Sequence, residues 1–138
     1  MNTLKSSLYI TVIFLILCGF IFPFALTMVG RVCFPTQANG SLIYQNSTLV
    51  GSKLIGQDYS GNLKYFQSRK NSGSGVDPEI FISDANQQAI ALSKSTGISL
   101  ATLNTIIKSN TIKPQFGVLG PERVNVLMAN LELQKMYR

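Results

Sequence analysis

The sequence has no histidine and no tryptophan, only two cysteines, and 6 acidic residues against 12 basic ones in 138 positions. Each shortage removes a class of chemistry. Without histidine the commonest general acid–base is missing, and with it the imidazole-dependent serine and cysteine nucleophiles and the common zinc sites. The residues therefore point to no enzymatic activity and no metal site of the chain's own. Cys18 and Cys33 stand 15 positions apart. On a continuous helix that separates their Cα atoms by about 22 Å, far beyond the ~7 Å within which a disulfide forms. The basic residues are scattered, with Arg69 and Lys70 as the only adjacent pair. That is the pattern of a solvated surface, and no nucleic-acid partner is expected.

The shortage of charge is local. Ser6 to Gly30 is a run of 25 residues without a charge, long enough to cross a hydrocarbon core as a tilted helix. A cleaved signal peptide fits poorly, because its apolar region spans about 7–15 residues and ends at a small-x-small site, whereas this run closes on Met28-Val29-Gly30. A lipid-modified Cys18 fits poorly too, since Leu17 stands where a small residue is required. The expected organisation is a short tail (1–5), one transmembrane helix in the cell membrane (6–30) and one small soluble domain (31–138), with membrane lipid as a partner. Pro23 removes a backbone donor within the span and is expected to kink it, with Gly19 one turn earlier on the same face. Gly19 and Pro23 together read either as a close-approach surface for a partner helix or as the ordinary enrichment of both residues in membrane helices. Lys5 and the amino terminus outweigh Arg31, which favours a cytoplasmic N-terminus and an external soluble domain.

Beyond the span, Leu42-Ile43-Tyr44 and Leu49-Val50 flank Gln45-Asn46-Ser47 and read as a hairpin turning at Asn46. Lys53-Leu54-Ile55 extends the second strand or begins a third, and Leu63 to Phe66 is a candidate for the same sheet. From Ser83 the period becomes helical: Asp84 is a candidate cap with Gln87, Ala85, Ala89 and Leu92 form a stripe, and Gly97 is the stop. Ser99 caps a second helix carrying Leu100, Leu103, Ile106 and Ile107, closed by Pro114. Pro121 opens a third, with Val124, Leu127, Met128 and Leu131 on one face. Strands first and about three helices afterwards make the soluble domain α+β.

Two glycine-rich stretches invite a phosphate-binding reading. Gly51-Ser52-Lys53-Leu54-Ile55-Gly56 has P-loop glycine spacing, but Gln57 and Asp58 stand where Lys and Ser or Thr are needed, so a turn is the better reading. Ser72-Gly73-Ser74-Gly75-Val76-Asp77-Pro78 offers accessible amides and hydroxyls to an anion. Composition alone favours a connector ended by an Asp-Pro turn. The Asn39-Gly40-Ser41 and Asn46-Ser47-Thr48 sequons are read as turns. Asn125 and Asn130 are poor helix formers placed in the last helix, where neither is needed as a cap, and are candidates for hydrogen bonds to a loop or a partner chain.

Taken in order, these blocks resemble the C subunit of the Kdp-type potassium-transporting ATPase. The resemblance runs through Gly19 and Pro23, Phe34-Pro35 with Ala38-Asn39-Gly40-Ser41-Leu42, Gly51 to Gln57, Tyr65-Phe66 with Arg69, Ser72 to Pro78, and Leu119 to Leu127 with Asn130-Leu131. It implies a non-catalytic accessory subunit of an ATP-driven potassium-uptake complex. The implied partners are a potassium-translocating channel-like subunit and an ATP-hydrolysing P-type subunit. The resemblance further implies a catalytic chaperone that raises the ATP affinity of the hydrolysing subunit, with no cofactor of its own and ATP met through that partner. Ser72, Gly73, Ser74, Gly75 and Asp77 are the implied nucleotide contacts. Between Arg69 and Ser72 the family carries a much longer stretch, so this soluble domain is a trimmed one. An external domain would not meet cytoplasmic ATP, which favours action by assembly: helix packing in the membrane and a clamp near the potassium entrance. A free-standing anchored binding module for an external ligand is the alternative.

Overall fold

The computed structural model describes residues 2–69 and 72–137, and Lys70 of the Arg69-Lys70 pair lies outside them. The chain divides into two compact units, Met1–Ser41 and Leu42–Arg138. In the first, α1 (Asn2–Ile16), a π-helical turn (Leu17–Ile21) and α2 (Phe22–Cys33) follow one another without a break. Thr3–Cys33 is long and apolar enough to cross a membrane, with a mean hydropathy of 2.7 over an 18-residue window. A short helix, α3 (Pro35–Ala38), follows after Phe34.

At Pro23 the sequence leads one to expect a kink. The structure inserts a π turn immediately before it, with helical dihedrals on both sides: φ/ψ of −67°/−45° at Ile16 and −65°/−50° at Phe22. A π turn widens the ring by one residue, which relieves the clash between a proline ring and the carbonyl four positions earlier. That carbonyl belongs to Gly19.

The second unit opens with the expected hairpin, β1 (Leu42–Gln45) and β2 (Thr48–Ser52). Asn46 and Ser47 both take positive φ, 49° and 64°, the combination a two-residue turn needs to match strand twist. The register slips between Ile43 and Tyr44, so that Val50 is the extra residue of a bulge. Lys53-Leu54-Ile55 neither extends β2 nor starts a strand. Ser52 turns the chain there, its Oγ accepting from Leu54 N–H (3.1 Å) and its carbonyl from Ile55 N–H (3.2 Å). Leu63 to Phe66 is likewise irregular and joins no sheet.

The main sheet is β3 (Glu79–Phe81), β5 (Arg123–Asn125) and β4 (Thr111–Ile112), antiparallel with β5 in the middle. Here three expectations fail. Val124 is a strand residue paired with Ile80, the last helix starts at Val126 rather than at Pro121, and the second helix ends at Ser109, well before Pro114. A Leu-rich helical period over 124–131 conceals a strand of three residues, because so short a strand leaves almost no period of its own.

The helices α4 (Ile82–Thr96), α5 (Leu100–Ser109) and α6 (Val126–Gln134) enclose one core with the sheet. Ala85, Ala89 and Leu92 of α4 are buried as expected, and Gly97 ends the helix at φ +76° with its N–H on Ser93 O. Asp84 lies in the first turn of α4 and is not its cap, a position held by Phe81 without a side-chain bond. Ser99 caps α5 through Thr102 N–H (3.2 Å).

Asn125 does cap α6, accepting from Met128 N–H at 3.1 Å while its amide donates to Lys53 O at 2.8 Å. Asn130 spends its whole side chain on the irregular segment: Phe66 N–H donates to Oδ1 (2.8 Å) and Nδ2 donates to Phe66 O (2.9 Å). The two groups so satisfied belong to a fully buried phenylalanine. Replacing Asn130 by Ala leaves a buried donor and a buried acceptor unpaired, at about 1–3 kcal/mol each. The expected outcome is a thermal midpoint of the detergent-solubilised chain lower by about 10 °C or more, read by circular dichroism.

Candidate functional site

Gly56 brings together two loops that lie far apart in the sequence. Its N–H donates to Val76 O at 2.8 Å, and a Cβ at this position would stand 2.5 Å from Asp77 O and 3.0 Å from Asp77 C. Only glycine allows the turn after β2 to seat against the 72–78 loop this closely. Ser68 Oγ donates to Gln57 O (3.1 Å) and ties a third segment to the same place. Between the three lies a cavity of about 340 Å³, lined among others by Gln57, Asp58, Tyr59, Arg69 and Gly75.

The charges of this cavity are held by neighbours. The Arg69 guanidinium sits 5.0 Å from the centre of the Phe81 ring, which Arg123 also approaches at 5.7 Å, and Arg123 pairs with Glu79 at 3.6 Å. Asp58 accepts from Ser60 N–H (2.8 Å) and from the Ser60 hydroxyl. Tyr59 packs against Tyr65 with ring centres 5.3 Å apart. Burial pushes its phenol above the ordinary value, more than a hydrogen bond with Asn130 lowers it, and the nearby Tyr65 adds to the rise.

The five residues implied as nucleotide contacts do not converge as a set. Ser74 Oγ donates to Asp77 Oδ1 (3.1 Å) and accepts from Val76 N–H (3.3 Å), so the loop closes on itself. Gly75, at φ +72°, reaches the cavity wall, with its N–H on Ser72 O (3.1 Å). Gly73 faces open space. Ser72 Oγ is buried without a hydrogen-bond partner among the described residues. For a triphosphate these residues fit poorly. Among the described lining residues the Arg69 guanidinium is engaged on an aromatic ring, and the Asp58 carboxylate lines the cavity, where it repels phosphate oxygens. Among the described residues no group of three or more His, Cys, Asp or Glu is placed to hold a metal ion. Gly19 and Pro23 belong to the other unit, at and just after the π turn.

The sequence reading missed Tyr59 and the Arg69–Phe81 contact. Its one available signal was the pairing of Tyr65-Phe66 with Arg69 among the ordered blocks. The fold defines an anchored α+β protein, with, among the described residues, a single membrane-length helix and one small unit built around three helices and an antiparallel sheet. The sequence profile described as "K+-transporting ATPase, c chain" matches residues 4–71 and 70–135. The chain belongs to this family of potassium-transporting ATPase KdpC subunits.

Among its relatives are proteins named potassium-transporting ATPase KdpC subunit from Clostridioides difficile strain 630, 30% identical over 205 aligned positions that cover 99% of this chain and 98% of the relative. Others come from Clostridium kluyveri, 33% identical over 195 positions (96% and 93%), and from Staphylococcus aureus strain bovine RF122, 32% over 188 positions (99% and 99%). The alignments are longer than this chain's 138 residues, so the relatives carry a stretch without a counterpart here. The profile breaks at residues 70–71, which places that stretch between Arg69 and Ser72.

Two outcomes follow from the site. Gly56→Ala forces the turn away from Asp77, and overpacking of this kind costs about 1–3 kcal/mol; a lower urea midpoint and faster protease cleavage within residues 56–78 are expected. For Tyr59 the folded pKa lies above the unfolded one, so its contribution to stability is complete below the unfolded value of about 10 and is lost as pH rises through the folded value. Denaturation midpoints are expected to fall on raising the pH through that range, and to fall less in Tyr59→Phe.

Proposed function

We propose that the chain is a non-catalytic accessory subunit of an ATP-driven potassium-uptake complex, joined to a potassium-translocating channel-like subunit and an ATP-hydrolysing P-type subunit. The single observation that carries this reading is the family match along nearly the whole chain. An accessory subunit needs surfaces rather than reactive groups, and that is what the side chains offer. The apolar helix, through Gly19 and Pro23, supplies the contact within the membrane. On the external side, which the charge asymmetry around the span favours, the α+β unit clamps the complex near the potassium entrance.

A chaperone effect that raises ATP affinity in the hydrolysing subunit is then transmitted through assembly rather than exerted on the nucleotide. The self-closed Ser74–Asp77 loop supports this. The expected result is that tagged chain brings down both larger subunits from membranes in mild detergent. If it runs alone while the other subunits assemble and transport potassium normally without it, the reading fails. Gly73→Val introduces a side chain into open space and should leave the apparent ATP affinity of the complex unchanged; a rise in the ATP requirement would establish direct contact. Orientation is read by labelling Leu63→Cys, an exposed position, in a Cys33→Ser background, with an impermeant maleimide expected to react from outside.

A further inference from the structure

The hydrogen-bond ladder of the membrane-length helix is interrupted at the carbonyl of Cys18. Phe22 N–H donates to Leu17 O, five residues back. For the carbonyl of Cys18, the helical donors in reach are the N–H four residues on and the N–H five residues on. The first is that of Phe22, spent on Leu17. The second would be that of Pro23, which has none. The π turn that accommodates the proline ring therefore leaves Cys18 O without a main-chain partner.

The helix does not repair this itself. Thr11 Oγ1 donates to Ser7 O and Thr27 Oγ1 to Pro23 O, each at 2.8 Å, so the two threonine hydroxyls nearest Cys18 are spent on their own turns. Ser6 and Ser7 lie about 16 Å or more away along the axis. Cys18 is the middle residue of the uncharged run Ser6 to Gly30, the depth at which water is scarcest and an unmet carbonyl is most costly. Beside it, Gly19 presents no side chain, and a Cβ there would meet nothing within 4 Å. The backbone is thus open to close approach at the place where an acceptor is unpaired.

We infer that Cys18 O accepts a hydrogen bond from a hydroxyl or amide side chain on a transmembrane helix of another subunit, which crosses this helix over Gly19. The inference rests on the assembly reading above and specifies its chemistry. A second copy of this chain is a poor occupant, because its own span has no unspent strong donor at that depth. A helix from a different subunit carrying Ser, Thr, Asn or Gln at mid-membrane meets the requirement.

The test uses the complete complex purified from membranes in mild detergent, followed by a graded detergent challenge. Pro23→Ala restores an N–H at position 23, lets Cys18 O be satisfied within the helix and improves the helix in its own right, yet it is expected to reduce retention of the subunit at least several-fold. Gly19→Leu blocks the approach and is expected to do the same. Gly30→Leu, at another glycine of the helix with open space around it, is expected to change nothing. A photoreactive residue at position 22 should cross-link to a larger subunit in the parent complex, and the linked peptide should contain Ser, Thr, Asn or Gln within one helical turn. Retention of Pro23→Ala equal to the parent overturns the inference, as do cross-links to a second copy or to lipid alone. If the parent itself fails to travel with the larger subunits, the assembly reading falls and this inference with it; if the parent is retained and Pro23→Ala equally so, this inference alone falls.

Discussion

Two amide side chains hold the irregular half of the α+β unit to its helices. Asn130 of α6 exchanges two hydrogen bonds with the main chain of Phe66. Gln88 of α4 does the same at the next residue, its Oε1 accepting from Gln67 N–H (2.7 Å) and its Nε2 donating to Gln67 O (3.2 Å). Each amide imitates the donor–acceptor pair of a neighbouring strand, so a segment that joins no sheet has its buried polar groups satisfied as if it did. With Phe66 pinned in the core, the flanking Tyr59, Tyr65, Ser68 and Arg69 take fixed places, and the polar cavity follows from them.

That anchorage bears on the shortness of the chain. The relatives carry a longer stretch after Arg69, and its absence here would leave a loose join were the ends on both sides not tied down. On one side Gln67 is clamped to α4 and Arg69 rests on Phe81. On the other, the 72–78 loop is closed by Ser74 and Asp77, seated on Gly56, and led into β3, whose preceding carbonyl, Pro78 O, accepts from Val126 N–H at 2.9 Å. The main chain around the join is held by side chains and glycines that lie outside the omitted stretch.

In the helical unit the governing constraint is a proline in a segment where backbone groups have little alternative to one another. The structure accommodates the ring by a wider turn and keeps the helix continuous. The wider turn takes up the proline ring and leaves Cys18 O without a main-chain donor, which the residue pattern alone does not locate.

Much of the architecture was legible in the residues. The uncharged run from Ser6 to Gly30, the hairpin at Asn46-Ser47, the Ser99 cap, the Gly97 stop and the Ala85, Ala89, Leu92 stripe all rest on local rules of charge, turn geometry and period, and the ordered blocks sufficed for the family. The failures around β4 and β5 share one cause. Strands of two and three residues, such as β4 and β5, owe their existence to partners distant in sequence, so the run around Val124 reads as helix until Ile80 lies beside it. The candidate site was visible only in pieces. Glycine marks Gly56 and Gly75 as special, but that Gly56 is special because Asp77 O lies against it is a contact across some twenty residues. Asn130 was conspicuous as a polar residue in an apolar helix, and its partner was not. The sequence by itself determined the membrane-length segment, the hairpin turn, the first soluble helix and the family to which the chain belongs, since these depend on neighbours a few positions apart. Tertiary structure alone decided which polar groups are spent on one another and which are left over, because hydrogen-bond satisfaction is settled by proximity in space, and proximity in space exists only once the chain has folded.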